Sequence, residues 1–318
     1  MKSLTRKLSR SSSSNMPPGF LTGSAGVGWA ASLLGLTSLA MPFWESAWGQ
    51  VEETDNASMF YGRSGIGMSM LQAFESTGQG VWIERSSSIA SRIRKMISAG
   101  AGGKFVEGLT SNGDPILGWG LGQSGPSLYL FRHGQASGDA SAVHLAKELL
   151  AGEMGHSRDW NGVPAFEFEG TAEPYLEVGA AGIAQVAARL GCKDIARKCL
   201  KAISYRHMVL PGYIFGGAGV AEANFDLGRM LGDPHVAKVG RGQLEAVIDV
   251  FGVRPEFVHG ASWALGQSGR VFPGEGLMKS SCDFATGSAG ILRVARRMAG
   301  GYPNELFGDH FSFAGERC

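Results

Sequence analysis

Two kinds of predicted helix alternate along the chain. In one kind, apolar residues recur every three or four positions, as at Val143, Ala146, Leu149 and Leu150, which is typical of a helix with one face in water. In the other kind, such as the run IAQVAARL from residue 183, small or apolar residues fill nearly every position, which indicates a helix covered on both sides. The alternation predicts an inner and an outer ring of helices, so we expect an all-α fold, an α/α toroid.

A Gly-x-x-Gly motif opens each of the apolar helices. The six copies begin at Gly23, Gly62, Gly122, Gly179, Gly216 and Gly287. Each interval between them has room for two helices and their connections. Where the first turns of several inner helices crowd around one axis, a residue without Cβ lets the backbones approach closely. A single copy could reflect ordinary helix packing, but six copies at helix-pair spacing favour the toroid.

Two stretches lack a helical period and are rich in glycine, proline and aromatic residues. They span about residues 152–174 and 252–279. We predict long structured loops at both places, and loops of this length in a compact domain are usually functional.

The N-terminal segment differs in composition from the rest of the chain. Residues 1–16 are basic and Ser-rich, and we predict that they are disordered. The apolar run that follows has some features of a secretory signal. However, it is broken by glycines, and its TGSAG sequence recurs at residues 286–290, so a folded element is the better interpretation. We therefore expect residues 17–318 to form a single toroid domain.

Composition excludes several classes of partner. The net charge is +1 without a basic block in the globular region, which argues against a nucleic-acid surface. No window of 18 apolar residues is free of repeated glycine or charge, so no membrane span is predicted. The four cysteines show no Cys-x-x-Cys spacing. This pattern predicts neither a zinc site nor a disulfide framework, and it favours a cytoplasmic protein with reduced thiols.

Two segments carry a resemblance to a known family. The sequences PGYIFGGAGVAEANFDLGRMLGD, from residue 211, and GRVFPGEGLMKSSCDFATGSAGIL, from residue 269, resemble the lanthionine synthetase C-like family. The closest likeness is to the cyclase domain of class III lanthipeptide synthetases, the kinase-cyclase type, over about residues 17–300. Family toroids usually have seven inner helices, whereas six openings and no preceding kinase region are visible here, so a standalone or truncated homologue is expected.

The resemblance implies a reaction and its partners. A cysteine thiol of a dehydrated precursor peptide would add to dehydroalanine or dehydrobutyrine and form a thioether, as in lanthionine or labionin rings. A separate kinase and a separate lyase would supply the dehydrated peptide. Two alternatives stay open: a degenerate, non-catalytic module that binds the precursor or scaffolds the modifying enzymes, and an α/α-barrel glycosidase using Asp283 with Glu177 or Asp226.

The resemblance also bears on metal binding. Class I and II relatives hold zinc through a Cys before one Gly-x-x-Gly and a Cys-His pair before a later one. Those positions correspond here to Ile214, then Ala285 and Thr286. Aliphatic and hydroxyl side chains cannot replace thiolate or imidazole on zinc. We therefore predict no metal and no cofactor, which matches class III members. The histidine of a middle repeat is Leu121.

A metal-free site must activate a thiol whose ordinary pKa is about 8.5 by other means. Helix N-termini favour a developing negative charge, and side chains beside the glycine motifs would move the protons. The candidate catalytic residues are Asp283, Thr286, Tyr213, His259 and Glu177. Each has a structural alternative: Asp283 and Thr286 as caps, Tyr213 as a packed ring, and His259 and Glu177 as solvated side chains. The candidate substrate-binding residues are Gly216, Gly219, Gly287, Gly290, Phe272 and Pro273.

Overall fold

The computed structural model describes residues 15–252, 272–274 and 281–314. These residues form two compact units. The first holds the described residues up to 156 together with 305–314, and the second holds those from 157 to 304. Residues 1–14 and His259 lie outside the described residues, so the expected disorder of 1–16 and the place of His259 stay predictions. The single toroid domain over 17–318 stays a prediction as well.

The first unit contains three pairs of helices. They are α1 Ser24–Leu33, α2 Thr37–Gly49, α3 Arg63–Thr77, α4 Gly80–Lys95, α5 Ser124–Ser137 and α6 Ala140–Gly155. Every residue of α3 from Ser64 to Ala73 is buried. In α4, which follows it, the buried residues include Trp82, Ser86, Ile89 and Ile93, all on one face. The predicted alternation of covered and half-exposed helices is therefore confirmed in this unit.

The second unit repeats the pattern. Its helices are α7 Ala180–Arg189, α8 Lys193–Ile203, α9 Gly217–Leu231, α10 Pro234–Phe251 and α11 Ser288–Gly300. Every residue of α9 from Gly217 to Gly228 is buried. Helix α10 packs on it backbone to backbone, since a Cβ at Gly240 would lie 2.5 Å from the Ala221 carbonyl oxygen. Two small residues thus let an outer helix lie directly against an inner one.

In the part of the chain that the structure describes, four short hairpins interrupt the helices, and the sequence did not predict them. The antiparallel pairs are β1 Ile97–Gly100 with β2 Gly103–Val106, β3 Thr110–Ser111 with β4 Asp114–Pro115, β5 Arg158–Trp160 with β6 Val163–Ala165, and β7 Glu167–Phe168 with β8 Thr171–Ala172. The expected loop over 152–174 is therefore wrong in detail. Helix α6 continues to Gly155, and two hairpins fill most of the remainder.

The hairpin turns have a local cause. Asn112-Gly113 and Asn161-Gly162 both have positive φ at each central residue, which is the conformation of a type I′ turn and the usual place for Asn-Gly. Because this turn matches the twist of the flanking strands, it closes a hairpin even where the strands are only two or three residues long.

No helix among the described residues is long and apolar enough to cross a membrane.

In the first unit, the C-terminal segment is anchored on α5. Arg132 Nε donates to the Phe307 carbonyl at 3.0 Å, and its guanidinium pairs with Asp309 at 2.8 Å. The Phe307 ring stacks on Trp119, with 4.5 Å between centroids. These contacts explain why residues 305–314 belong to the first unit.

Candidate functional site

A loop before each inner helix of the second unit folds back on the first turn of that helix. The amides of Ala180, Gly217 and Ser288 each donate to the carbonyl seven residues earlier, at 3.2, 2.7 and 2.9 Å. These are the amides that a helix N-terminus ordinarily leaves without a partner. Because the loop carbonyls occupy them, they are not available to a thiolate. The expectation that bare helix N-termini stabilise the thiolate is therefore not supported at these positions.

Backbone hydrogen bonds join neighbouring loops to one another. In each loop the bonded residue lies two positions before the first glycine of the Gly-x-x-Gly motif. The Ile214 amide donates to the Ala285 carbonyl at 2.8 Å, and the Glu177 amide donates to the Ile214 carbonyl at 3.3 Å. In the first unit, Phe60 and Gly120 make the equivalent bond at 3.0 Å. The openings of α7, α9 and α11 therefore lie side by side, and we call these three loops the mouth of the second unit.

The second position of the glycine motif requires a residue without Cβ, but for a different reason from the one expected. A Cβ at Gly290 would lie 2.5 Å from Tyr213 Cβ and closer still to the carbonyl oxygen of Phe284. A Cβ at Gly219 meets the Tyr213 carbonyl and the Leu176 side chain in the same way. The crowding therefore comes from the loop of the same repeat and from the preceding repeat. Crowding of inner helices around an axis is not needed to explain it.

Asp283 organises the opening of α11. Its carboxylate accepts the Thr286 amide at 2.6 Å, the Thr286 hydroxyl at 2.9 Å and the Gly287 amide at 3.2 Å, and it also accepts the Ser281 hydroxyl. Burial raises the pKa of Asp283, but these hydrogen bonds outweigh it and hold the pKa below its ordinary value. The residue is exposed, so its ionised carboxylate reaches solvent while it fixes Thr286.

Tyr213 lies in the interior of the second unit. It is fully buried, and its hydroxyl donates to Glu222 Oε2 at 2.7 Å. The Arg293 guanidinium lies over its ring, 5.0 Å from the centroid. Burial raises the pKa of Tyr213 well above its ordinary value. The phenol therefore stays protonated and ties the α9 loop to the charged groups between α9 and α11.

Those charged groups form a network that the sequence analysis missed. Glu222 accepts Arg293 at 2.7 Å and Arg297 at 3.1 Å, and Asp226 accepts Arg297 at 2.6 Å. The Asn304 amide donates to both carboxylates, at 2.9 and 3.2 Å. Burial raises the pKa of Asp226, but Arg297 and Arg189 outweigh it and leave the pKa below its ordinary value.

A sequence signal for this network did exist. Two acidic residues four positions apart lie on apolar α9, and two arginines four positions apart lie on α11. Charges on a helix that is otherwise buried need partners, and the two spacings match. Because Asp226 is committed to arginines, it is not a free carboxylate for the glycosidase alternative.

The remaining candidates lie around the same loops. The Phe272 amide donates to Ser288 Oγ at 3.1 Å, and its carbonyl accepts the Ser281 amide at 3.1 Å. This pairing brings the Phe-Pro-Gly segment onto the first turn of α11, where Phe272 is buried and Pro273 is half-buried. Glu177 is also half-buried, in the α7 loop. Gly216 and Gly287 precede α9 and α11, so all of these candidates are brought together.

The positions that correspond to the zinc ligands of related proteins are adjacent in space. The Ile214 amide bonds directly to Ala285, and Thr286 is the next residue. The side chains do not fit the metal, because Ile214 and Ala285 carry no donor atom and the Thr286 hydroxyl is bonded to Asp283. Across the described part of the chain, no group of three or more His, Cys, Asp or Glu side chains could hold a metal ion.

The chain is similar to known proteins in sequence and in fold. No family model matches the chain. A curated protein of Streptomyces coelicolor named "Probable SapB synthase" is 26% identical over 305 residues, which cover 92% of this chain. The chain spans only 31% of that protein's length. The solved structure of nisin cyclase is similar with a TM-score of 0.58 and 10% sequence identity, over 98% of this chain and 82% of that one.

The fold likeness confirms the fold class predicted from the sequence, an α/α toroid. The sequence likeness covers 92% of this chain. In its sequence and in its fold, the chain therefore resembles the lanthionine synthetase C-like family.

Proposed function

We propose that this chain is a lanthionine-forming cyclase that acts on a dehydrated precursor peptide. A cysteine thiol adds to the β carbon of dehydroalanine or dehydrobutyrine, so that a carbon–sulfur bond forms and the carbon–carbon π bond is lost. The thiol proton leaves sulfur, and a proton is returned to the α carbon. No atom is lost and no oxidant is consumed, so the product has the mass of the substrate. The observation that carries this proposal is the likeness to nisin cyclase and to the "Probable SapB synthase".

The mouth of the second unit supports the proposal geometrically. The carbonyl of Ala285 joins the α11 loop to the α9 loop, and that of Ile214 joins the α9 loop to the α7 loop. A peptide lying across these loops would lie above Gly216, Gly219, Gly287 and Gly290, which are buried beneath the loops and let them pack closely, with Phe272 and Pro273 at its edge. Such a rigid, preformed surface would orient a thiol and an alkene toward each other, which is a large part of what addition requires.

The pKa values of the candidate groups distinguish a positioning residue from a general base. A thiol has an ordinary pKa of about 8.5 and a carboxyl of about 3.9, and the pKa of Asp283 lies below its ordinary value. Transfer of the thiol proton to Asp283 would therefore be unfavourable by more than about 6 kcal/mol at 1.36 kcal/mol per unit. We assign Asp283 as a positioning residue that holds Thr286. Histidine, with an ordinary pKa of about 6.5, is a better match for the base, so His259 is proposed for that role from the sequence.

Thr286 and Tyr213 act at different depths. The Thr286 hydroxyl is fixed at the half-buried edge of the α11 loop, where it could contact the substrate. Tyr213 is enclosed and bonded to Glu222, so its contribution is to hold the α9 loop against the network. Glu177, half-buried in the α7 loop, is proposed as a further contact for the peptide. None of these roles needs a metal.

The function is tested by following the thiols of the peptide. The purified protein is incubated with a dehydrated precursor peptide, and free thiols are alkylated and counted by mass spectrometry. We expect alkylatable cysteine to disappear with time, at a rate that a zinc chelator leaves unchanged. Tight binding of the peptide with unchanged thiols would instead support the non-catalytic module. Inhibition by the chelator, restored by zinc, would contradict the metal-free site.

Threonine substitutions give a matched test of the mouth. Thr286→Val removes the hydroxyl at nearly constant shape and should slow thiol loss about tenfold or more, whereas Thr286→Ser keeps the hydroxyl and should retain most of the rate. Thr110→Val, at an exposed threonine in a hairpin of the first unit, serves as the control and should have no effect. Equal rates for the valine and serine variants would remove Thr286 from the mechanism.

The proposed partners follow from the reaction. The substrate must be a peptide that has already lost water from serine or threonine, so enzymes of the kinase and lyase type would act before this chain. A cytoplasmic location would keep the peptide thiols reduced.

A further inference from the structure

A groove of about 600 Å³ lies in the second unit, beside the two hairpins that follow α6 and the segment that follows α8. Its volume is within the usual range for binding sites of small molecules and short peptide segments. We call it the hairpin groove. Four of its lining residues carry the proposal: Trp160, Glu173, Tyr205 and Met208.

Two large aromatic side chains of the groove are exposed. Trp160 is 66% and Tyr205 is 62% accessible, although each could bury a large apolar area. Met208, which is half-buried, adds apolar surface to the same concavity. Aromatic residues that converge on a concave surface are typical of sites where a partner supplies the missing contact.

Glu173 gives the groove its charge. Its side chain is half-buried, and burial raises the pKa of the carboxyl above its ordinary value. Among the residues that the structure describes, none makes a hydrogen bond or ion pair with this carboxylate. Two basic side chains of the same unit are engaged elsewhere: Arg158 pairs with Glu167 at 3.0 Å, and Lys201 Nζ donates to the Gly162 carbonyl at 3.3 Å. A half-buried carboxylate without a partner is costly, and a cation would relieve that cost.

We propose that the hairpin groove binds a lysine or arginine side chain of the precursor peptide. The cation lies against the Glu173 carboxylate and between the faces of Trp160 and Tyr205, which attract it as aromatic rings attract cations. Apolar residues beside that side chain pack on Met208. The identity of the peptide as precursor rests on the function proposed above, whereas the binding itself does not depend on turnover.

The position of the groove suits this role. The carbonyl of Glu173 accepts the first-turn amide of α7, from Ala180, at 3.2 Å. The α7 loop in turn donates from Glu177 to Ile214 at the mouth. A peptide segment held in the groove would therefore lie next to the loops where its cysteines react, which raises the local concentration of the thiols there.

The proposal is tested by peptide binding to the full-length protein. The probe is a fluorescently labelled heptapeptide of sequence Ala-Val-Leu-Lys-Val-Leu-Ala with blocked ends, and its affinity is measured by fluorescence anisotropy. A version with norleucine in place of lysine should bind about tenfold more weakly, and a version with glutamate should bind more weakly still. Added salt should weaken the lysine peptide and leave the norleucine peptide nearly unchanged.

Variants of the groove locate the binding. Glu173→Gln should weaken the lysine peptide about tenfold, and Glu173→Lys should reverse the preference toward the glutamate peptide. Trp160→Ala and Tyr205→Ala should each weaken binding about fivefold. The controls are Glu169→Gln, at an exposed carboxylate in the β7–β8 turn, and Tyr302→Ala, at an exposed tyrosine outside the groove. Neither control should change the affinity.

Three results would overturn the proposal: unchanged affinity in Glu173→Gln, equal affinity for the lysine and norleucine peptides, or binding of free lysine amide as tight as that of the heptapeptide. The outcome is separate from that of the cyclase proposal. Binding through Glu173 without any thiol loss would support the groove and contradict the cyclase. Thiol loss with unchanged binding in Glu173→Gln would contradict the groove and leave the cyclase intact.

Discussion

The tight contact between the α9 and α11 loops makes a quantitative prediction at Gly290. In Gly290→Ala the new methyl group would lie 2.5 Å from Tyr213 Cβ and closer to the Phe284 carbonyl oxygen. Carbon atoms in contact ordinarily stand about 3.5–4.0 Å apart. Both neighbours belong to or adjoin the backbone, so a change of side-chain rotamer cannot relieve the overlap. The first turn of α11 must move away from the mouth.

Two opposing effects set the change in the free energy of unfolding for Gly290→Ala. Overpacking in a dense region costs about 1–3 kcal/mol or more, and the severity of this overlap favours the upper part of that range. Replacing glycine by alanine in a helix returns about 0.5–1 kcal/mol. We therefore expect the free energy of unfolding to fall by about 2 kcal/mol.

Gly242→Ala is the matched control. Gly242 lies inside α10 of the same unit, and a Cβ there would meet nothing within 4 Å. Only the helix-propensity gain applies, so this variant should be more stable than the wild type by about 0.5–1 kcal/mol. The two alanine substitutions should therefore have opposite signs.

Urea denaturation followed by far-ultraviolet circular dichroism measures both free energies, with equal m values as the check that unfolding is comparable. Because both glycines belong to the second unit, they report on the same transition even if the two units unfold separately. Equal stabilisation of the two variants would refute the contact between the α9 and α11 loops at Gly290.

Three further predictions concern carboxyl groups. Glu222→Ala removes the buried carboxylate that pairs with Arg293 and leaves Arg297 with Asp226 alone, so it should cost about 3–5 kcal/mol of stability. Glu169→Ala, at an exposed site, should change stability by less than about 0.5 kcal/mol, and chemical denaturation compares the two variants. Burial raises the pKa of Glu153 to about 8, so the folded state retains a proton that the unfolded state has lost. Stability should therefore fall as the pH rises from about 4.5 to about 8, by about 1.4 kcal/mol per pH unit at most, and Glu153→Gln should remove this dependence; a flat wild-type profile would contradict it. Asp283 has a lowered pKa, so its stabilisation is present above its unfolded pKa and is lost as the pH falls through the folded value. Asp283→Asn should accordingly lose less stability than the wild type on acidification below about pH 4.

The sequence was sufficient for the helical framework, because helix periodicity is a local property. The uniformly apolar run of α7 and the one-sided pattern of α6 each identify a kind of helix without knowledge of what covers it. The glycine motifs likewise mark where the inner helices begin. The physical reason for those glycines could not be read from the chain, since the Cβ of Gly290 is excluded by a residue more than 70 positions away, Tyr213.

The hairpins and the buried network were missed for different reasons. Asn161-Gly162 is a turn signal, but the flanking strands are too short to show alternation of apolar and polar residues. The charges of α9 and α11 are spaced as pairs, but pairing between helices about 70 residues apart is a tertiary property. The groove is also tertiary, because Trp160, Glu173 and Tyr205 meet only when the hairpins pack beside the segment that follows α8.

Tandem mass spectrometry of the peptide product tests the cyclase directly. After incubation of a dehydrated precursor peptide with the purified chain, we expect the intact mass to stay unchanged, because the addition is an isomerisation. Backbone fragments should be missing between the former cysteine and the former dehydroamino acid, because a thioether ring now joins them. A complete ladder of fragments through that region, equal to that of the untreated peptide, would contradict the proposal that this chain forms lanthionine rings.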